Sequence, residues 1–321
     1  MIKNSISRGF ITVATGNERY YRMALNLLRS YRMNCESPMR FAIIADQNNQ
    51  YTAEFDDVII LDHATKSWMD KLALLTSCPY DENIFIDADC LVYHDINFFL
   101  DLFSSADDFS CFGKVLPMDS TEGWYTRQAE QIYPIKSIIH LHGTAYFIRK
   151  SPVIEEMNTI CMDIISKYHL IKFRDFNDRL ADEPIFALAM GILGLRPIPR
   201  KQEYYCFVPY AIKMKSDYLS RTIRYVNPGE DECIWCHLLH WGNVNTEKAA
   251  YRVEVDKLNY LTSNRNRIVA NIYKWFFYDL NTLYCVYHVK DTILLIFQKL
   301  RSNLYRIRKR LSNNNSMRTT D

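Results

Sequence analysis

Asn83-Ile84-Phe85-Ile86-Asp87-Ala88-Asp89-Cys90-Leu91-Val92 is an apolar run interrupted by two carboxylates spaced i, i+2. The run predicts a strand over 83–87. Side chains alternate faces along a strand, so Asp87 and Asp89 are expected to point to one side where it ends. Two converging carboxylates at the end of a buried strand are costly unless a cation neutralises them. A hard divalent ion, Mn²⁺ or Mg²⁺, that also holds a diphosphate meets that need.

Outward from this stretch, strands alternate with helices. The apolar runs 9–15 (GFITVAT), 40–45 (RFAIIA) and 57–61 (DVIIL) read as earlier strands. Asn17 stands where an N-cap would, ahead of a helix over 18–32. A short helix over 67–76 carries Lys71, and another is expected around 96–103. Near-continuous apolar strands separated by helices indicate a mostly parallel sheet covered on both faces. Ligands bind such sheets beyond the carboxyl ends of the strands, where Thr15, Asn17, Asp87 and Asp89 fall. The first strand-to-helix turn lacks GxGxxG, so a dinucleotide reading has no direct support.

Further along, 140–149 (HLHGTAYFIR) reads as a strand, 152–168 as a helix, 182–193 as a helix with Pro184 in its first turn, and 236–241 (CHLLHW) as a strand carrying two histidines. The last segment differs. Ile293, Phe297, Leu300, Leu304, Ile307 and Leu311 form one helical stripe, and 299–310 carries six basic residues and no acidic one. Residues 313–321 are polar and read as a disordered tail. The expected organisation is one α/β domain over 1–262, an aromatic and basic helical extension over 263–312, and that tail.

The chain has 321 residues, of which 48% are hydrophobic and 24% charged, which suits one large α/β domain with an appendage. A formal charge of +2 gives no general basic footprint, and no nucleic-acid partner is expected. Nine cysteines without regular spacing, and no apolar leader in MIKNSISRGFITVATG, are read as reduced thiols in the cytoplasm. No stretch reaches the length of a membrane-spanning helix.

Other residues bear on the chemistry. His240 adds an imidazole that would suit Mn²⁺ beside two carboxylates, although a histidine on an apolar strand is commonly a core residue. Asp182 and Glu183 open a helix, where the dipole favours carboxylates anyway, and where a catalytic or acceptor-binding carboxylate would be held rigidly. Lys71 is either a solvated lysine or a phosphate-neutralising one. Cys233, Cys236 and His237 have haem-attachment spacing, but buried strand cysteines account for them more simply.

Taken together these residues resemble the GT-A-fold glycosyltransferases of family 8, the glycogenin and lipopolysaccharide glucosyl- and galactosyltransferase type, from about 9 to about 248. The resemblance implies one Rossmann-like sheet flanked by helices. It places Thr15, Asn17 and Tyr20 (VATGNERYYRMAL) on uridine, Lys71 (WMDKLALL) on the nucleotide sugar, and Asp87 and Asp89 (FIDADCLV) on Mn²⁺ and the diphosphate. It puts Asp182 and Glu183 near the sugar and acceptor, His240 on the metal, and Gly242 and Lys248 at the phosphates. Two departures stand out. The late element reads His240-Trp241-Gly242 with Lys248 displaced, and the sugar-lining strand reads His142-Gly143-Thr144, so donor identity does not carry over.

The function so implied is transfer of a hexose from a UDP-sugar to a glycan or lipid-linked acceptor, with retention, in cell-surface polysaccharide synthesis. The helix over 293–310 would touch an anionic membrane on its cytoplasmic face, or dock on protein instead. Alternative readings are a nucleotidyltransferase, an Asp-x-Asp phosphatase, and a non-catalytic membrane-associated scaffold with a degenerate transferase fold.

Overall fold

The computed structural model describes residues 6–120, 122–124, 127–173 and 180–262. The expected extension over 263–312, its stripe over 293–310 and the tail lie outside the described residues. The chain divides into two compact units, Met1–Gly242 and Asn243–Asp321.

The first unit is built on a six-stranded sheet. Strand β1 (Arg8–Ala14) leads into helix α1 (Glu18–Asn34), then β2 (Phe41–Ala45) and β3 (Asp57–Ile60). After a 3₁₀ turn at Trp68–Ala73 and the one-turn helix α2 (Leu74–Ser77) come β4 (Glu82–Ile86) and the three-residue strand β5 (Cys90–Val92). Helix α3 (Phe98–Ser104), β6 (Phe109–Leu116), α4 (Arg127–Ile132) and the long β7 (Ile138–Arg149) follow. Then come α5 (Pro152–Ser166), α6 (Tyr168–Ile171), α7 (Asp182–Leu193), β8 (Tyr205–Phe207), β9 (Lys213–Asp217), β10 (Thr222–Val226) and β11 (Leu238–His240). The second unit contributes a 3₁₀ turn at Asn243–Glu247 and α8 (Ala249–Thr262).

The sheet order is β3-β2-β1-β4-β7-β6. Strands β1 to β4 are mutually parallel, and β7 and β6 are added antiparallel. This is the mostly parallel, helix-covered α/β sheet expected. Every residue of β2 and β4 is buried; β2 is an unbroken apolar run, while β4 opens on the buried polar pair Glu82 and Asn83 before the apolar Ile84-Phe85-Ile86. Phe85 is fully buried on one face of β4, stacks on Tyr146 at 5.2 Å, and is worth about 1.5–3 kcal/mol by burial alone. Asn17 caps α1 as expected, its side chain accepting a hydrogen bond from the Arg19 amide at 2.9 Å.

Two smaller sheets complete the unit. Strand β11 lies between β5, antiparallel, and β8, parallel, with His240 opposite Cys90 on one side and Phe207 on the other. Strands β9 and β10 form a hairpin.

Candidate active site

The parallel strands β1, β2 and β4 all end on one edge of the sheet, where Asp87 and Asp89 stand beside Lys71, Asp182 and His240. β4 stops at Ile86, one residue short of the expected strand. Asp87 to Asp89 form a turn, closed by the Cys90 amide donating to the Asp87 carbonyl at 3.1 Å, before the chain resumes as β5. The carboxylates converge through this turn, not by strand alternation. The Asp87 amide donates to the Thr144 carbonyl at 3.1 Å, which fastens the turn to β7.

β11 brings His240 to the pair. Its Nε2 lies 3.0 Å from Asp89 Oδ1 and 3.7 Å from Asp87 Oδ2. The Trp241 amide donates to the Asp89 carbonyl at 3.2 Å. On the other side of the ring, Nδ1 is 2.7 Å from Thr144 Oγ1. Asp89, His240 and Thr144 are all buried, whereas the Asp87 side chain keeps 19% of its exposure.

Lys71 closes the other side. Its Nζ is 2.9 Å from Asp87 Oδ2 and 3.4 Å from Asp182 Oδ2, and it lies 5.5 Å from the centre of the Phe85 ring. Asp182 also accepts from the Tyr146 hydroxyl at 3.3 Å, and Glu183 Oε1 accepts from the Gly143 amide at 3.0 Å. A Cβ on Gly143 would stand 2.1 Å from that oxygen, so only glycine permits the contact. Asp182 and Glu183 open α7, whose N-terminal dipole favours them there.

The charges are arranged in cation–anion pairs. Burial works against the Lys71 ammonium, yet Asp182 and Asp87 hold its pKa above the ordinary lysine value. Burial likewise opposes the His240 imidazolium, and Asp89 and Asp87 more than compensate, raising its pKa. Asp89 is held below the usual range by His240 against the cost of burial. Asp87 is raised, chiefly by burial, with Lys71 opposing. Glu183 is pushed up to about 7 by burial and the neighbouring Asp182 charge.

These residues can be tested for a divalent ion. Asp89 Oδ1 is buried and makes no well-formed hydrogen bond, and it faces the Nε2 of a histidine. Their 3.0 Å spacing is that of two ligands on neighbouring vertices of an octahedral ion, about 3 Å for bonds of about 2.1 Å. Among the described residues, Asp89, Cys90 and His240 bring one ligand atom each within 4.8 Å of the others. Burial and the adjacent carboxylates push the Cys90 thiol well up, so it is the weaker candidate. Asp87, next to the pair but held by Lys71, is the better third oxygen. The donor set fits Mn²⁺ or Mg²⁺.

At the end of β1, the Thr15 hydroxyl donates to Asp70 at 2.6 Å, so Thr15 ties this turn to the 3₁₀ turn rather than standing open. Asp46, at the end of β2, accepts from the Gly16 amide at 3.0 Å and from the Tyr21 hydroxyl. Asn17 is committed as an N-cap and Tyr20 is half-buried on the first turn of α1. Gly242 has φ +67°, and a Cβ there would come within 2.8 Å of Pro209. Lys248 belongs to the second unit, its amide donating to the Asn245 carbonyl at 3.0 Å. The Cys233 and Cys236 thiols donate to the carbonyls of Trp235 and Leu238. Among the described residues all cysteines are free thiols.

Thr144, Tyr146 and Asp46 were not anticipated from sequence. Thr144 had a faint signal, two residues after His142 on one strand face. Asp46 had one too, as a carboxylate directly after an apolar strand. Tyr146 had none.

No protein-family model matches the chain, and no curated relative does. Solved structures do. The chain is similar to the apo bifunctional glycosyltransferase WbbM, at 12% identity and TM-score 0.45 over 64% of this chain and 40% of that one. It is similar to the glycosyltransferase GlyE of Streptococcus pneumoniae TIGR4, at 11% identity and TM-score 0.42 over 64% of this chain and 48% of that one. It is similar to mouse xyloside xylosyltransferase 1, at 12% identity and TM-score 0.46 over 75% of this chain and 99% of that one. The chain thus spans less than half the length of WbbM and GlyE. All three neighbours are glycosyltransferases. Among the described residues no helix is long and apolar enough to cross a membrane.

Proposed function

We propose that this chain is a divalent-metal-dependent glycosyltransferase of the family 8 type, transferring a hexose from a UDP-sugar to a glycan or lipid-linked acceptor with retention. The observation that carries the reading is the convergence of Asp87, Asp89 and His240, with Lys71 and Asp182 behind them, at the carboxyl edge of a parallel sheet. Ligand sites in open α/β sheets lie at that edge.

Asp89 and His240 would hold the ion, with Asp87 as the neighbouring carboxylate. The ion would supply Lewis-acid stabilisation of the departing diphosphate. Lys71 places a permanent positive charge beside the same carboxylates, where negative charge grows as the leaving group departs. Glu183, fixed by the Gly143 amide, and Asp182 orient the sugar and oppose the positive charge that develops at the anomeric carbon. Thr15, Asn17 and Tyr20 would border the nucleotide, with Gly242 in the role the resemblance implies. Residues 293–310 would bring the enzyme to an anionic membrane surface where a lipid-linked acceptor resides.

The test is turnover of a panel of UDP-hexoses with Mn²⁺, by wild type and by Asp89→Ala. UDP release by wild type that is lost in the variant is expected. Undiminished release in Asp89→Ala sinks the metal assignment, and release of pyrophosphate instead favours a nucleotidyltransferase.

A further inference from the structure

The imidazole of His240 has one nitrogen on Asp89 and the other on Thr144, and the Phe207 ring packs against it at 4.8 Å between centroids. Phe207 in turn meets Tyr210 edge-on, at 4.9 Å and 89°. Tyr210 is 59% exposed and Ile212, two residues on, 64% exposed. A short aromatic ladder therefore runs from the site to the surface, each step under 5 Å.

The ladder stands on fixed backbone. Phe207 is paired with His240 in register. The 3₁₀ turn Val208–Tyr210 is closed by the Ala211 amide donating to the Val208 carbonyl at 3.2 Å. The Ile212 amide donates to the Val226 carbonyl at 2.8 Å. Gly242, lacking a Cβ, lets Pro209 close in from the other side. An exposed tyrosine on a pre-organised turn, joined to a reactive site by one ring, is suited to ligand contact at low entropic cost.

We infer that Tyr210, backed by Phe207, is the platform on which a sugar ring of the acceptor stacks. The inference rests on the transferase reading above and deepens it by naming the residue that reads the acceptor. A pyranose presents a face of C–H groups and a rim of hydroxyls. That pattern matches an aromatic face with a phenolic hydroxyl at its edge. The resemblance assigns the nucleotide to Thr15, Asn17 and Tyr20 and gives Tyr210 no part in holding it.

The test uses full-length protein, labelled and applied to an array of short saccharides in UDP and Mn²⁺. Wild type is expected to retain a subset of the saccharides. Tyr210→Ala loses about tenfold in binding to that subset, and Tyr210→Phe keeps most of it. Equal binding by Tyr210→Ala and wild type overturns the platform, as does failure of wild type to bind any saccharide. A Tyr210→Ala defect confined to phosphatidylglycerol vesicles overturns it in favour of a lipid contact. UDP-hexose turnover by wild type, measured separately, tells the two failures apart. With turnover intact only the platform falls, and without it the transferase reading falls too.

Discussion

Thr144 Oγ1 lies 2.7 Å from His240 Nδ1, and both side chains are buried. His240 is raised in pKa, burial opposing and Asp89 and Asp87 prevailing, and its Nε2 faces the carboxylates. Loss of the Nε2 proton to an ion would leave Nδ1–H still held by Thr144. A hydrogen bond of this kind fixes ring orientation and tautomer. Thr144→Ala is expected to weaken Mn²⁺ binding by about 10- to 100-fold, with Thr144→Ser restoring most of it. Titration of the apoprotein with Mn²⁺ followed by electron paramagnetic resonance measures this directly. Equal affinity in Thr144→Ala and wild type would remove Thr144 from the site.

Lys71 is the cation between two carboxylates, Asp87 and Asp182, in a largely enclosed place. Replacing it by methionine strands both charges, at a cost of about 3–5 kcal/mol. Denaturant unfolding of Lys71→Met should show that loss, and the double variant Lys71→Met/Asp87→Asn should recover part of it. No recovery in the double variant would mean that the Asp87 pairing is not what the lysine stabilises.

Gly143 is the one residue type that lets Glu183 reach the β7 backbone, since a Cβ would lie 2.1 Å from Oε1. Gly143→Ala must displace the carboxylate or the strand, at about 1–3 kcal/mol. Transfer activity should fall by about tenfold or more through mispositioning. Combining Gly143→Ala with Glu183→Ala removes the clash and should return the melting temperature toward that of Glu183→Ala alone. A Gly143→Ala protein with wild-type melting and turnover would show that Glu183 has other room.

His142, next to Gly143 on β7, is half-buried, and desolvation with neighbouring positive charges lowers its pKa from 6.5 to about 4. The unfolded chain takes up this proton at the ordinary value and the folded one does not. Stability contributed by the neutral imidazole is therefore complete above pH 6.5 and falls as pH drops toward 4. The slope is up to about 1.4 kcal/mol per pH unit across that window. His94, His140 and His237 are lowered by burial as well and steepen the acid limb. Unfolding free energies of wild type and His142→Gln between pH 4 and 7 test the assignment, and parallel curves would contradict it.

Legibility from sequence tracked how local each feature is. The helix expected over 182–193 has those ends in the structure: Asp182, Glu183 and Pro184 mark its first turn, and the structure adds Gly194 as a left-handed stop. β2 is legible because a strand buried on both faces carries unbroken apolar residues, and β4 is legible by its apolar end Ile84-Phe85-Ile86. β6 was not read as a strand, and a register shift between Cys111 and Phe112 interrupts its pairing with β7. β5 and β8 have three residues each, too short for any period to show, whereas β11 lies inside the strand expected over 236–241. The 3₁₀ turn carrying Lys71 and the α2 turn were read as one helix, since both share the same short apolar spacing.

By itself the sequence determined that a covered, mostly parallel sheet ends in a pair of carboxylates, because burial of whole strands and the need to neutralise charge are written in residue type and order. Only the tertiary structure decided what meets that pair. Lys71, Thr144, Asp182 and His240 come from four separate elements, and they are brought to Asp87 and Asp89 by strand register and helix packing. Those pairings are set by long-range contacts whose partners no local pattern names. The spacing of Asp87 and Asp89 announced that a cation was required, and the fold determined which side chains surround it.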